Sequence, residues 1–378
     1  MTPDTMTATP PSPLEQLIRD QIAIDGPMSI GDYMNICLTH PDHGYYTTGH
    51  PVGGRASAAR SGGDFITAPE VSQMFGEMIG IWCMEVWQAL GSPPRFTLAE
   101  IGPGRGTLMR DLLRISAALP GFAQAMDLHL VEISPTLSEQ QSLTLSDTGQ
   151  KVTWLRDIAD LPAQPTIVIG NELLDALPFR QWIKSGNQWV ERAVGLQDDT
   201  LCFTTRPALL PATDLPENAS QQPDGAIFET SSPREAFIAQ LADMLIAHSG
   251  AALMIDYGHL KSGFGDTFQA MRDHAYVSPL DAPGTADLTS HVDFEPLTKI
   301  AAQKGCAVPP PTTQGAFLLA LGLLERAGNL GQNRAGNVQD SLRAAVERLA
   351  GNTQMGQLFK AIAFGAPKSL GERWPGFG

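Results

Sequence analysis

Apolar positions along this chain fall into two periods, and the alternation between them predicts its architecture. Leu14, Leu17, Ile18 and Ile22 recur at helical spacing, predicting an amphipathic helix from Leu14 to Ile24 that Gly26-Pro27 stops. Ser29, with Asp32 three residues on, reads as the N-cap of a second helix through Leu38. From about Ser72 to Leu90 the stripe widens: Phe75, Met78, Ile79, Trp82, Val86 and Trp87 leave little polar face, so this helix is expected to be buried on most sides. Short continuous apolar runs then alternate with helical patterns. The runs start at Phe96, Leu128, Val152, Thr166 and Ala251, and such runs suit central strands of a parallel sheet covered on both faces. Gln181 to Val194 alternates around Ser185-Gly186-Asn187, a hairpin, and Leu201 to Thr204 adds a strand. Residues 206–226 read as an exposed loop. Ser232-Pro233 opens a helix through Leu245. Beyond Asp256, residues 259–293 are weakly periodic. A late strand at Gly305–Val308, a helix Thr313–Ala327, a Gly/Asn linker over 328–337 and helices near Val338–Leu349 and Met355–Ala363 complete the expectation.

The first of the apolar runs ends in Glu100, and Gly102, Gly104 and Gly106 follow before Leu108, Leu112 and Leu113 open a helix. Strand, glycine turn and helix N-terminus form a site for a nucleotide-type cofactor: glycine tolerates positive φ and close approach, and the helix start presents free N–H groups. The dinucleotide fingerprint G-x-G-x-x-G is not met, because the third glycine comes one residue early. A carboxylate at Glu100 would repel a pyrophosphate and attract a cationic group. The second strand also ends in an acid, Glu132, suited to ribose hydroxyls. Asp157, after the third strand, lies where an adenine amino group would be met. The fourth strand ends in Asn171-Glu172-Leu173-Leu174-Asp175, placing two carboxylates and an amide at the same edge, and the strand from Ala251 ends in Asp256. The weakly periodic stretch carries Asp287, His291 and Asp293, candidates for an acid–base group; their spacing matches no metal site, and no metal is expected.

Composition narrows the partners. The chain has 378 residues, 43% of them hydrophobic and 17% charged, enough for one large domain or two smaller ones. Its net charge of −15 argues against a nucleic-acid surface. Four scattered cysteines suggest neither a zinc site nor a disulfide framework. No apolar run reaches membrane-spanning length. The first residues lack a basic region, an apolar region and any arginine, which predicts a cytoplasmic protein with a disordered tail over 1–13. The remaining divisions expected are an N-terminal helical lid region (14–90), a cofactor core (91–258) with a hairpin insertion near 181–204, and a substrate loop with C-terminal helices (259–378). The glycine-rich stretch 47–63 before GDFITAPE has the character of a lid hinge.

Several stretches together resemble the MidA-like methyltransferases, relatives of the arginine methyltransferase that assists mitochondrial complex I assembly. They are GDFITAPEVSQMFGE (63–77), AEIGPGRGTLMRDLL (99–113), VEISP (131–135), GNELLDALPFRQW (170–182), LMIDYG (253–258), DLTSHVDF (287–294) and TTQGAFLLALGLLERA (312–327). The resemblance implies an α/β fold: a class I Rossmann-like methyltransferase, mostly parallel and doubly wound, with an N-terminal helical region and C-terminal helical and β additions. It implies S-adenosylmethionine as cofactor and a protein arginine side chain as acceptor, a complex I subunit among the candidates. It places cofactor contacts on Gly102, Gly104, Gly106 and Glu132 and the acceptor near Glu172. Phe65, Thr67, Glu100, Ile133, Asp157, Ile158 and Asn171 complete the expected cofactor set; Glu172, Asp175, Asp256 and His291 are the expected catalytic groups. The apolar C-terminal helices permit a homodimer. Two other readings share this framework, a cofactor-holding assembly chaperone without turnover and an NAD-dependent oxidoreductase.

Overall fold

The structure, a computed structural model, describes residues 10–47, 67–366 and 374–378. The chain divides into two compact units, each assembled from three separate stretches.

The larger unit (65–177, 231–262 and 291–378) is built on a sheet of six main strands. In chain order they are β1 (Phe96–Ile101), β2 (Met126–Val131), β3 (Val152–Leu155), β4 (Thr166–Asn171), β5 (Gly250–His259) and β6 (Phe359–Gly365). Their spatial order is β6-β5-β4-β1-β2-β3. All neighbours are parallel except β5 and β6, paired antiparallel from Ala251↔Gly365 to Tyr257↔Phe359. Two short strands extend it: Thr312–Thr313 on β6, and Val292–Asp293, parallel to the end of β5. The chain order reverses between β1 and β4, so a crevice opens at their carboxyl ends. One face is covered by the helices Gln73–Ala89 and Thr107–Ser116, whose Phe75, Trp82 and Leu112 join Phe96 and Leu98 in one core. Helices Ser232–His248 and Phe294–Gln303 cover the other face through Leu241, Leu245 and Leu297.

The smaller unit (1–64, 178–230 and 263–290) holds the helices Pro13–Asp25 and Ile30–Thr39, with Ser12 and Ser29 as N-caps. The expected hairpin is Arg180–Ser185 against Gln188–Gln197, and Thr200–Leu209 pairs with its second strand. Trp182, Trp189 and Phe228 form one apolar cluster within it.

Several expectations are corrected. Met355–Ala363 is a single helical turn, Met355–Leu358, followed by β6; the run FKAIAFG is buried at every position but Lys360, and a nearly continuous apolar run carries no period to separate helix from strand. Gly305–Val308 contributes only a bridge from Ala307 to Gly365. The helix expected over Thr313–Ala327 breaks at Gly322 (φ 93°) into Gln314–Ala320 and Leu323–Gly331, so part of the expected linker is helical. The weakly periodic stretch contains a three-stranded sheet, Gln269–Arg272, Ala275–Val277 and Asp287–Thr289. Divisions at residues 90 and 258 are not where the units part, because helix Gln73–Ala89 and strand β6 both pack into the larger unit's core. Among the described residues no helix is long and apolar enough to cross a membrane.

Candidate functional site

The glycine turn leaves β1 with positive φ at each glycine: 64° at Gly102, 54° at Gly104 and 78° at Gly106. The Gly102 amide donates to the Val131 carbonyl at 3.0 Å, tying the turn to the end of β2. A Cβ on Gly104 would meet nothing within 4 Å, whereas one on Gly102 would press Leu173 Cδ1 at 3.2 Å. The turn is thus open at its tip and seated against the end of β4. Helix Thr107–Ser116 starts at Gly106 without a side-chain cap, leaving first-turn amides for an outside acceptor.

Glu132 is buried just past β2. Its Oε1 accepts the Ser134 amide at 2.8 Å and its Oε2 accepts the Gln141 side-chain amide at 3.0 Å. Each oxygen keeps a lone pair for a hydroxyl donor. Gln141 also donates to the Gly104 carbonyl at 2.9 Å and accepts from Trp154 Nε1 at 2.9 Å. Sequence reasoning missed Gln141, a fully buried amide that joins the glycine turn, the strand-end acid and β3. The signal was a polar residue on the inward face of helix Pro135–Leu145. Asp157 Oδ1 accepts the Ala159 amide at 2.9 Å and caps a short turn whose Ile158 is buried; Ile133 is half exposed. Thr67 precedes the four-residue helix Ala68–Val71 without a capping bond. Phe65 lies outside the described residues.

The neighbouring edge is acidic. Glu100 is 3% exposed, its Oε2 has no hydrogen-bond partner, and burial pushes its pKa up to about 8. Burial thus favours the protonated carboxyl, and a cation brought beside it would pull the other way, toward the carboxylate. Asn171 Oδ1 at the end of β4 is likewise buried without a partner. Glu172 adopts φ 51°, uncommon for a residue with a side chain. Its Oε1 accepts the Ala68 amide and Asn171 Nδ2, both at 3.1 Å, while burial and then the nearby Asp175 raise its pKa to about 7. Burial also raises Asp175, to about 6, against the opposing pull of Arg234.

Asp256, expected among the catalytic groups, is bonded here as a main-chain anchor. It is fully buried; Oδ2 accepts the amides of Leu173, Leu174 and Asp175 at 3.1, 2.8 and 3.2 Å, and Oδ1 that of Tyr257 at 2.9 Å. His291 stacks edge-on against Tyr257 with ring centres 5.2 Å apart. Burial, then the charges of His259, Lys360 and Arg234, lower its pKa, favouring the neutral ring that can accept a proton. Asp293 caps helix Phe294–Gln303 by accepting the Glu295 amide, and Asp287, in the smaller unit, accepts the Tyr46 hydroxyl at 2.9 Å. A cavity of about 720 Å³ lies between helices Leu323–Gly331 and Gly336–Ala350, lined by Leu324, Ala327, Leu342 and Val346; it includes no residue of the strand edge.

The donor set fits a nucleoside-bearing cofactor with an amino-acid portion. An open glycine tip, uncapped helix amides, a half-satisfied carboxylate at Glu132 and the unpartnered Asn171 Oδ1 surround one edge. Comparison with known proteins agrees. Residues 78–312 match a family described as "Putative S-adenosyl-L-methionine-dependent methyltransferase". The chain is 32% identical to the Danio rerio Protein arginine methyltransferase NDUFAF7, mitochondrial, over 91% of this chain and 84% of the relative. Its human counterpart is 33% identical over 94% and 83%. A crystal structure of a Burkholderia thailandensis protein bound to S-adenosyl-homocysteine superposes with a TM-score of 0.83 at 28% identity, covering 98% of this chain and 97% of that one. The expectation of a cytoplasmic protein is overturned here: these curated relatives are mitochondrial by name, which conflicts with it.

Proposed function

The chain belongs to this family of S-adenosyl-L-methionine-dependent methyltransferases, and from that premise we propose that it methylates an arginine side chain of a partner protein. The observation that carries the reading is the acidic edge at the end of β4, where a half-buried Glu172 and a buried Asp175 follow the strand that the glycine turn is seated against. The names of the curated relatives support arginine as the acceptor. A complex I subunit is the first protein acceptor to test, and a homodimer the first assembly.

In this reading Gly102, Gly104 and Gly106 let the cofactor approach the main chain, Glu132 takes the ribose hydroxyls, and Asn171 takes a donor on the amino-acid portion. S-adenosylmethionine, when bound, supplies a methyl group activated by its sulfonium. The chain's own task is alignment, which supplies roughly 7–11 kcal/mol in well-oriented reactions. A guanidinium is charged and a poor nucleophile. Glu172 binds it by paired hydrogen bonds and localises its charge away from the attacking nitrogen. With a pKa raised to about 7, Glu172 is also matched to accept the proton released at neutral pH. His291 offers a second acceptor.

Calorimetric titration with S-adenosylmethionine, and separately with NADH, followed by labelled-methyl transfer to an arginine peptide, tests this. Binding of the first cofactor with label on arginine supports it. Label on another residue type removes the arginine assignment, and binding without transfer to any protein favours an assembly factor that holds the cofactor.

A further inference from the structure

The turn that begins at Glu172 is gripped from two sides, by a buried carboxyl group and a buried guanidinium. Asp256 takes three successive amides, those of Leu173, Leu174 and Asp175. Arg234, 4% exposed, takes the carbonyls: Nε donates to Leu174 O at 2.6 Å, and Nη2 to Asp175 O at 3.3 Å and Leu177 O at 3.5 Å. Its Nη1 donates to the His291 carbonyl at 3.0 Å, so one guanidinium joins the acidic turn to the segment bearing the candidate proton acceptor. Leu174 and Asp175 are thus each held at both main-chain ends.

Arg234 sits in the first turn of helix Ser232–His248, where the helix dipole disfavours a cation. Burial adds a desolvation cost. Local helix stability does not account for an arginine there; the carbonyls do. The turn they hold opens with a residue in the left-handed region, a conformation that persists only where its surroundings over-determine it.

We propose that Arg234 and Asp256 are positioning residues: together they fix the 172–177 turn, hold Glu172 in its left-handed conformation and aim its carboxylate at the acceptor. This rests on the reading of Glu172 as the acceptor-binding group. Lysine, a point charge, cannot span four carbonyls. In Arg234→Lys, kcat for an arginine peptide is expected to fall at least tenfold while S-adenosylmethionine affinity stays within twofold. In a Glu172→Gln background, measured as single-turnover label incorporation, the same change should add less than twofold. An unchanged kcat, cofactor affinity falling in step with kcat, or fully multiplying effects would each overturn the proposal. Should Arg234→Lys not fold, Asp256→Asn attacks the turn from the amide side and is read identically. Hydrogen exchange of the unaltered protein needs no variant: the Leu173, Leu174 and Asp175 amides should exchange as slowly as those of β4, and loop-like exchange refutes the clamp. If Glu172→Gln alone leaves transfer intact, the reading of Glu172 fails, while slow exchange still shows the clamp to exist.

Discussion

The larger unit buries acids in two places and treats them differently. Between helices, Glu77 is fully buried and receives a two-pronged bond from Arg326, Nε to Oε2 at 2.8 Å and Nη2 to Oε1 at 2.7 Å, with Arg114 3.7 Å away. Asp111 beside it takes Arg114 at 2.7 Å. At the strand edge, Glu100 and Asp175 are buried and Glu172 half-buried; Arg234 donates to main-chain carbonyls, and the pKa values of Glu100, Glu172 and Asp175 rise to about 8, 7 and 6. Of the acids that fasten helices, Glu77 is matched by an arginine fork and Asp111 by a single arginine bond. Acids left short of positive charge stay poised to gain and lose protons, which marks an edge built for chemistry.

Four substitutions put weight on that contrast. Glu172→Gln should have the largest consequence, a loss of turnover of roughly a hundredfold to ten-thousandfold, the range of a lost proton-transfer group. Cofactor affinity measured by calorimetry should stay near that of the unaltered protein; loss of both together would make Glu172 a cofactor ligand. Arg326→Met strands the buried Glu77 charge, and denaturant unfolding should report a cost of about 3 kcal/mol, the low end for a broken buried pair because Arg114 and Gln73 remain nearby. Turnover per folded molecule should hardly change, and a large drop would erase the distinction between the two acid clusters. Glu100 tests the edge by pH. Its folded pKa, near 8, lies above the ordinary 4.5, so the folded state binds that proton more tightly. Stability should therefore fall as pH rises from about 4.5 to 8, by at most ~1.4 kcal/mol per pH unit from this group. Glu100→Gln should flatten the profile in that window, and an unaltered slope would show that Glu100 is not the group responsible. The smallest effect belongs to the surface. Arg95 bonds Asp127 at 2.9 Å but is largely exposed, and Arg95→Ala should cost less than about 0.5 kcal/mol in the same unfolding assay.

What the sequence made legible was local. The glycine turn, the strand-end acids and the β–α alternation are all carried by residues within a few positions of one another. What it hid depends on partners far along the chain. Arg234 meets Leu174 across 60 residues, and nothing in the first turn of its helix announces that contact. Asp256 was recognised as an acid at a strand end, but its burial under three amides, which decides its role, comes from β4's turn folding over it. Gln141 looked like one polar helix residue among several. The last strand reads as helix because burial at nearly every position erases the alternation that separates the two.

That last strand has a consequence for how the molecule is made. Among the described residues β6 is the one strand of the main sheet that runs antiparallel to the rest, and it comes more than 90 residues after β5 in the chain, yet the two are neighbours. During synthesis β1 to β5 emerge first, and until residue 365 has left the ribosome the outer edge of β5 presents open amides and carbonyls. An unpaired edge on a sheet this apolar is a template for wrong pairing. Nascent chains stalled before β6 should therefore depend on chaperones far more than the finished protein does.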